Sequence, residues 1–248
     1  MGVVKGTAAL GALNNSGGSG PNAEITPFKS GTTLKVRIKG TEDIAQYYGY
    51  GIFKKVFTFV PAKPAERNER GFITANPTVW DRAAQYYFEL AKKASKEEAE
   101  KLKQEARKYT GKERYLMGFY DLTQGKDIVI DLSKTQAQAV YETIKEYADD
   151  YEDLAFKLSK KGESTSTTVT LTPIVNMKKD LDDAEMENFN KSAGEPFDQS
   201  LFDNVLYEAD EEEQIENLKK AGFDVSLIGI DDESTPIDES GDDPAAQF

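Results

Sequence analysis

The sequence predicts a mainly β chain with α insertions, of the α+β class, on three observations. Residues 31–40, GTTLKVRIKG, alternate strictly and place Leu34, Val36 and Ile38 on one face of a strand and Lys35, Arg37 and Lys39 on the other. Residues 81–109 change to helical spacing, with Asp81 at the N-cap position and Gly111 just past the end. Charge is divided by position: residues 1–179 carry a net +6 and residues 180–248 a net −19, so an overall pI near 4.7 conceals a basic body.

At 248 residues and 38% hydrophobic content, the chain can bury one sizeable core, with its acidic last quarter outside it. It contains neither cysteine nor histidine. That excludes disulfides, thiolate or imidazole metal sites, and catalysis by a Cys or His nucleophile or base. Carboxylate, lysine or magnesium chemistry is what remains. The acid pairs Asp149/Asp150, Asp182/Asp183 and Asp242/Asp243 lack any defined metal-site spacing, and the glycines of GGSG and GYG lack the phosphate-loop lysine. No enzymatic activity, metal or cofactor is expected. The first 20 residues have no long apolar core, and no apolar run approaches the roughly 18 residues of a membrane span. A cytoplasmic protein with no membrane partner is the expectation.

Residues 1–24, small and polar with Gly17, Gly18 and Gly20 close together, read as a flexible arm, with order beginning near Ile25. After the first strand, residues 47–60 (YYGYGIFKKVFTFV) hold six aromatics and two lysines, with Gly49 and Gly51 where a strand would bend or bulge. If Ile52, Val56 and Val60 face the core, alternation puts Phe53, Lys55, Phe57 and Phe59 opposite, so one face shows rings and cations together. Unpaired bases stack on rings while phosphates meet Lys and Arg. Residues 61–80, rich in Pro and Asn with Arg67 and Arg70, read as a flap over a groove or a plain surface loop. The helical stretch to about residue 110 has an apolar first half and a charged second half, as a helical insertion projecting from the body would.

A strand at 114–122 (RYLMGFYDL) places Tyr115, Met117 and Phe119 on one face, and Gly125 turns it into a hairpin with DIVIDL, 127–132. Ser133 or Thr135 caps a helix carrying Val140, Ile144 and Tyr147. Strands follow at about 154–159 and 167–174. Five or six strands with a helix before the last pair match an OB-fold barrel, in which one sheet face and its loops hold oligonucleotides. Residues 180–230 form an acidic, partly helical segment able to pack back on the barrel, with a short docking strand beyond Gly222. Residues 231–248 form a disordered acidic tail of seven acids and no base ending in Phe248.

The arm, the GTTLKVRIKG strand, the RYLMGFYDL hairpin and helix, the DLAFKLSKKGESTSTTVTLTPI hairpin and the acidic tail together resemble bacteriophage-type single-stranded DNA-binding proteins, the helix-destabilising replication proteins of tailed phages. The resemblance implies an OB-fold groove for single-stranded DNA and a tail that recruits replication proteins such as a polymerase, helicase or primase. The chain departs from the zinc-bearing members in having no Cys or His, and from the cooperative members in having only Lys5 as a base in residues 1–28. A monomer or weak self-association is therefore expected.

The candidate phosphate-binding residues are Lys35, Arg37, Lys39, Lys54, Lys55, Arg107, Lys112 and Arg114. The candidate stacking residues are Tyr47, Tyr48, Tyr50, Phe53, Phe57, Trp80 and Tyr120. Asp238, Glu239, Asp242, Asp243 and Phe248 are the candidate partner-binding residues of the tail, which would also compete with DNA for the groove. The alternative from a different class is a virion or scaffold component that binds protein and no nucleic acid.

Overall fold

The computed structural model describes residues 25–163, 166–203 and 205–230. The alternating segment forms β1 (Thr33–Arg37). The aromatic segment is two strands, β2 (Ile44–Ile52) and β3 (Val56–Pro61), and a separate two-stranded sheet follows, β4 (Glu66–Arg67) with β5 (Ile73–Ala75). Helices α1 (Val79–Lys93) and α2 (Lys96–Tyr109) precede the hairpin β6 (Lys112–Asp121) and β7 (Lys126–Ser133). Next come α3 (Lys134–Glu146), β8 (Ala155–Lys161) and β9 (Thr168–Pro173). The acidic segment adds α4 (Met177–Asp180), α5 (Asp183–Lys191), β10 (Glu208–Ala209) and α6 (Glu211–Ala221).

Eight strands make one sheet in the order β10-β3-β2-β6-β1-β8-β9, with β7 also on β6. Its neighbours are antiparallel except β10, which joins β3 in parallel. The strand β6 organises the rest because one of its edges is shared: Tyr120 pairs with Arg37 of β1 and Met117 with Ile44 of β2. Val36, Ile38, Met117, Phe119, Ile130, Leu132, Phe156 and Leu158 fill the main core, and α3 closes it with Val140 and Ile144. This helix begins at Ser133, whose N–H donates to the Gln136 side chain at 3.2 Å, and it packs against β6, β7 and β9. Among the described residues no hydrogen-bonded ladder joins β7 to β9, so the molecule is a mixed α/β protein with a large sheet and six helices, not a closed barrel.

A second core lies on the other side of the β2–β3 hairpin, where Tyr50, Phe59, Trp80, Tyr109, Leu218 and Phe223 cluster. Trp80 meets Phe59 edge-on at 5.3 Å, and its indole N–H donates to the Gln214 carbonyl at 3.0 Å, satisfying the polar end of a fully buried ring.

Three details differ from the sequence reading. The expected single helix is two, because Ser95 caps a new start by accepting from the Glu98 N–H. The first of them is capped by Thr78; Asp81 is its third residue and accepts from the Thr78 N–H, completing a capping box. Residues 225–228 form a 3-10 turn in place of a docking strand. The acidic segment does pack back on the sheet, with Phe189 and Leu181 against Tyr120 and Leu122, and Phe197 and Val205 against Leu116 and Val129. The arm 1–24 and the tail 231–248 lie outside the described residues.

Candidate nucleic-acid interface

The β2–β3 hairpin exposes aromatic rings because its register slips. Tyr50 pairs with Phe59 and Ile52 with Val56, so Phe57 and Thr58 together oppose the single residue Gly51. This is a β-bulge, and it turns Val56 and Phe59 to the core while Phe57 and Thr58 both face outward. Only glycine fits opposite it: Gly51 has φ +144°, and a Cβ there would sit 2.9 Å from the Phe57 carbonyl oxygen. The strict alternation read from the sequence breaks at this point, which is why Phe59 is core.

At the tip, the Lys55 N–H donates to the Ile52 carbonyl at 2.9 Å, making a tight turn through Phe53 and Lys54. Lys54 takes φ +64°, a left-handed conformation that costs a non-glycine residue about 1–2 kcal/mol. Phe53 is 88% exposed and Phe57 65%. The Lys54 ammonium lies 5.4 Å from the centre of the Phe53 ring, and that of Lys55 donates to the Ala221 carbonyl at 3.1 Å.

The connection that follows is a second presenting element. Asn68 folds it into a tight loop, its side-chain oxygen accepting from the N–H groups of Arg70 and Phe72 at 3.0 Å each. Arg70 is exposed, Phe72 is 67% exposed and Ile73 is exposed beside it. The loop is fastened at its base. Arg67 lies 4.1 Å over the Tyr48 ring and donates to the Gly71 carbonyl and the Tyr50 hydroxyl at 3.0 Å each; its ion pair with buried Asp81 spans 3.3 Å. Asp81 also accepts from the Tyr50 hydroxyl at 2.9 Å, and burial together with that carboxylate pushes the Tyr50 phenol well above its ordinary value.

The sequence candidates divide into three groups. Phe53, Phe57, Lys54 and Lys55 come together at the hairpin tip, with Tyr48 half-buried under the loop and Tyr47 half-buried and bonded to Asp131 at 2.9 Å. Arg107 and Lys112 are exposed elsewhere, on α2 and at the start of β6. The remaining candidates are engaged inside the protein. Trp80 is fully buried, Tyr50 is 3% exposed and Tyr120 9%, so in this conformation none offers a face to a base.

The cationic face of β1 is likewise covered, in part by the acidic segment. Lys35 pairs with Glu185 of α5 at 2.5 Å. Arg37, 5% exposed, donates to the carbonyls of Phe189 and Glu152 and lies 4.3 Å over the Phe189 ring. Burial lowers its guanidinium from the ordinary value, opposed by Glu152 and Asp153. Lys39 pairs with Asp127 at 2.9 Å over the Tyr120 ring, and Arg114 is held by Asp131 at 2.7 Å. An open cationic strand face was expected; internal carboxylates and carbonyls occupy it.

Arg70, Phe72 and Ile73 were missing from the candidates. The signal was the run NERGF, in which a turn-forming Asn and a Gly flank the residues they push outward. The tail candidates Asp238, Glu239, Asp242, Asp243 and Phe248 lie outside the described residues. Among the described residues no group of three or more acidic side chains is placed to hold a metal ion, and no helix is long and apolar enough to cross a membrane. No protein-family model, curated protein or solved structure matches the chain.

Proposed function

We propose that the chain is a non-enzymatic single-stranded DNA-binding protein of the bacteriophage type, coating and protecting single strands during replication, recombination or repair. The observation that carries the reading is a pair of presenting elements, the hairpin tip with Phe53, Phe57, Lys54 and Lys55 exposed, and the 68–72 loop with Arg70 and Phe72 exposed. Rings of this kind stack on any base, and the cations meet the backbone, so sequence preference at the tip is weak.

The chain order supports an OB-type body. β1 and β2 follow β6 in succession like two halves of one bent strand, β6–β7 is the next hairpin, α3 precedes the β8–β9 pair, and β1 pairs with β8. In that reading residues 53–111 are an insertion into the first loop of the barrel, a loop that OB-folds use for oligonucleotides, and both presenting elements lie in it. The acidic tail recruits a replication protein and competes with DNA.

One observation favours a second reading. Lys35 and Lys39 are paired with internal carboxylates and Arg37 is held by internal carbonyls, which leaves the exposed aromatics with few cations and suits a scaffold protein that docks on protein. Fluorescence-anisotropy titration of labelled oligo-dT at two salt concentrations, with duplex as competitor, separates the two. Salt-sensitive binding that prefers the single strand, and tightens on deletion of residues 231–248, supports the first; no binding with or without the tail supports the second.

A further inference from the structure

The β2–β3 hairpin carries a plug at one end and a socket at the other. At its tip Phe53 is 88% exposed, with the Lys54 ammonium 5.4 Å from the ring centre and Lys55 exposed beside it. At its base lies a pocket of about 320 Å³ whose lining includes Tyr47, Tyr48, Pro61, Pro64, Leu206 and Glu208. A cavity of about 150 Å³ already holds a benzene ring, so this pocket has room for a phenyl ring and the chain that delivers it. The ring does not reach the pocket of its own molecule, because about 13 Å of extended strand separates Tyr48 from Ile52 below the tip. We propose that Phe53 of one copy seats in this pocket of a second copy, giving a head-to-tail row of molecules, an inference independent of the single-strand reading above.

Charge selects the occupant. Helix α6 runs beside the hairpin with its ends matched to those of β3. β10, which leads into the helix, pairs Glu208 with Val60 at the base, and Lys55 at the tip donates to the carbonyl of Ala221, the last residue of the helix. The first turn of α6 carries Glu211 and Glu212, both exposed, and its last turn Lys219 and Lys220. Arg67 also lines the pocket, but buried Asp81 answers its charge. Carboxylates therefore set the sign at the socket end and lysines at the plug end. A second copy shifted along the hairpin brings Lys54 and Lys55 to the Glu208 end, whereas two copies meeting tip to tip would set like charges together. One ring and a few charges make an interface well under the roughly 1,200 Å² of stable complexes, so the contact is weak between free copies. Copies side by side on a shared ligand meet at an effective concentration of about 1 mM, where a weak contact is enough to link them. A seated Phe53 is not offered to a base, so in a row of copies on DNA the stacking falls to Phe57 and Phe72.

The test is sedimentation velocity of the full chain with no DNA present, from about 10 μM up to the effective concentration of about 1 mM. The weight-average sedimentation coefficient is expected to rise with concentration past the value of a dimer, since a head-to-tail contact leaves a plug and a socket free at the two ends of every pair. Phe53→Ala removes the plug and keeps the socket; Ala62→Trp, in the pocket lining, fills the socket and keeps the plug. Each variant alone is expected to stay monomeric, and their equimolar mixture to form a dimer and stop there, one variant supplying the plug and the other the socket. Circular dichroism checks the fold of both, and Glu208→Lys, at an exposed side chain, replaces Ala62→Trp as the socket variant if the tryptophan disturbs it. A wild type that stays monomeric to the highest concentration, self-association that survives in both variants, or a mixture that stays monomeric overturns the proposal and leaves the single-strand reading intact. A monomeric wild type whose oligo-dT binding is weakened by Ala62→Trp also overturns it, and assigns the pocket to a base.

Discussion

Arg67 lies over the Tyr48 ring at 4.1 Å and in the same pose bonds the Tyr50 hydroxyl and the Gly71 carbonyl, so one guanidinium fastens the 68–72 loop to the sheet. Both the ion-pair partner Asp81 and the Arg67 side chain are largely buried, at 3% and 12% exposure. Arg67→Ala is expected to lower the unfolding free energy by about 2–4 kcal/mol, read by urea denaturation, because Asp81 keeps its charge and loses its cation. Arg67→Lys rescues little, since an ammonium cannot stack and reach three acceptors at once.

Lys54 carries a positive φ with no glycine to relieve it. Lys54→Gly is expected to stabilise the fold by about 1 kcal/mol while weakening oligo-dT binding. It should also reduce the slope of log K against log salt by about 0.7, the value for one phosphate contact on a single strand. A slope equal to that of the wild type would remove Lys54 from the phosphate contacts.

Phe53 and Phe57 contribute little to the folded body and, on the proposed function, much to the ligand. Changing each to Ala should move stability by no more than about 0.5 kcal/mol. The same changes should cost about 1–3 kcal/mol of oligo-dT binding per ring that stacks. Trp80→Ala should do the reverse. Removing this fully buried ring should cost about 3–5 kcal/mol of stability, measured by thermal or urea unfolding, with no change in the affinity of the molecules that remain folded.

Asp43 sets a small pH dependence. Burial, reinforced by the neighbouring Asp127 charge, raises its carboxyl above the ordinary value of 3.8, against the hydrogen bond from Gln199. A carboxyl raised in the folded state binds its proton more tightly there than in the unfolded chain. Its contribution is therefore present at low pH and is lost as pH rises through the folded value. Asp43→Asn is expected to remove that component, so that the stability difference between variant and wild type shrinks as pH falls below the raised value. A difference that stays constant through that window would show that Asp43 titrates normally.

The fold was legible where structure is local. Leu34, Val36 and Ile38 face the core as their alternation requires, and Ser133 starts α3. The β2–β3 turn was not legible because Phe53-Lys54 has none of the usual turn residues; the bulge opposite Gly51 and the left-handed Lys54 supply the reversal. Half of the site was hidden for a different reason. Alternation showed that Lys35 and Arg37 share a face, but their occupants, Glu185 and Phe189, lie 150 and 152 residues away in sequence, and no local pattern encodes such a pairing. Trp80 misled in the same way, since exposure and burial of a lone indole depend on helices that the sequence separates from it by 134 residues.

That separation bears on synthesis. While the ribosome is making the chain, α1 and the β2–β3 hairpin emerge long before Gln214, Leu218 and Phe223, the residues that cover Trp80. The nascent aromatic cluster of Tyr50, Phe59 and Trp80 stays uncapped until nearly the whole described chain has been translated. A message truncated before the codons for α6 would thus release a product with its second core open, a substrate for chaperones and proteases, whatever the state of the finished sheet.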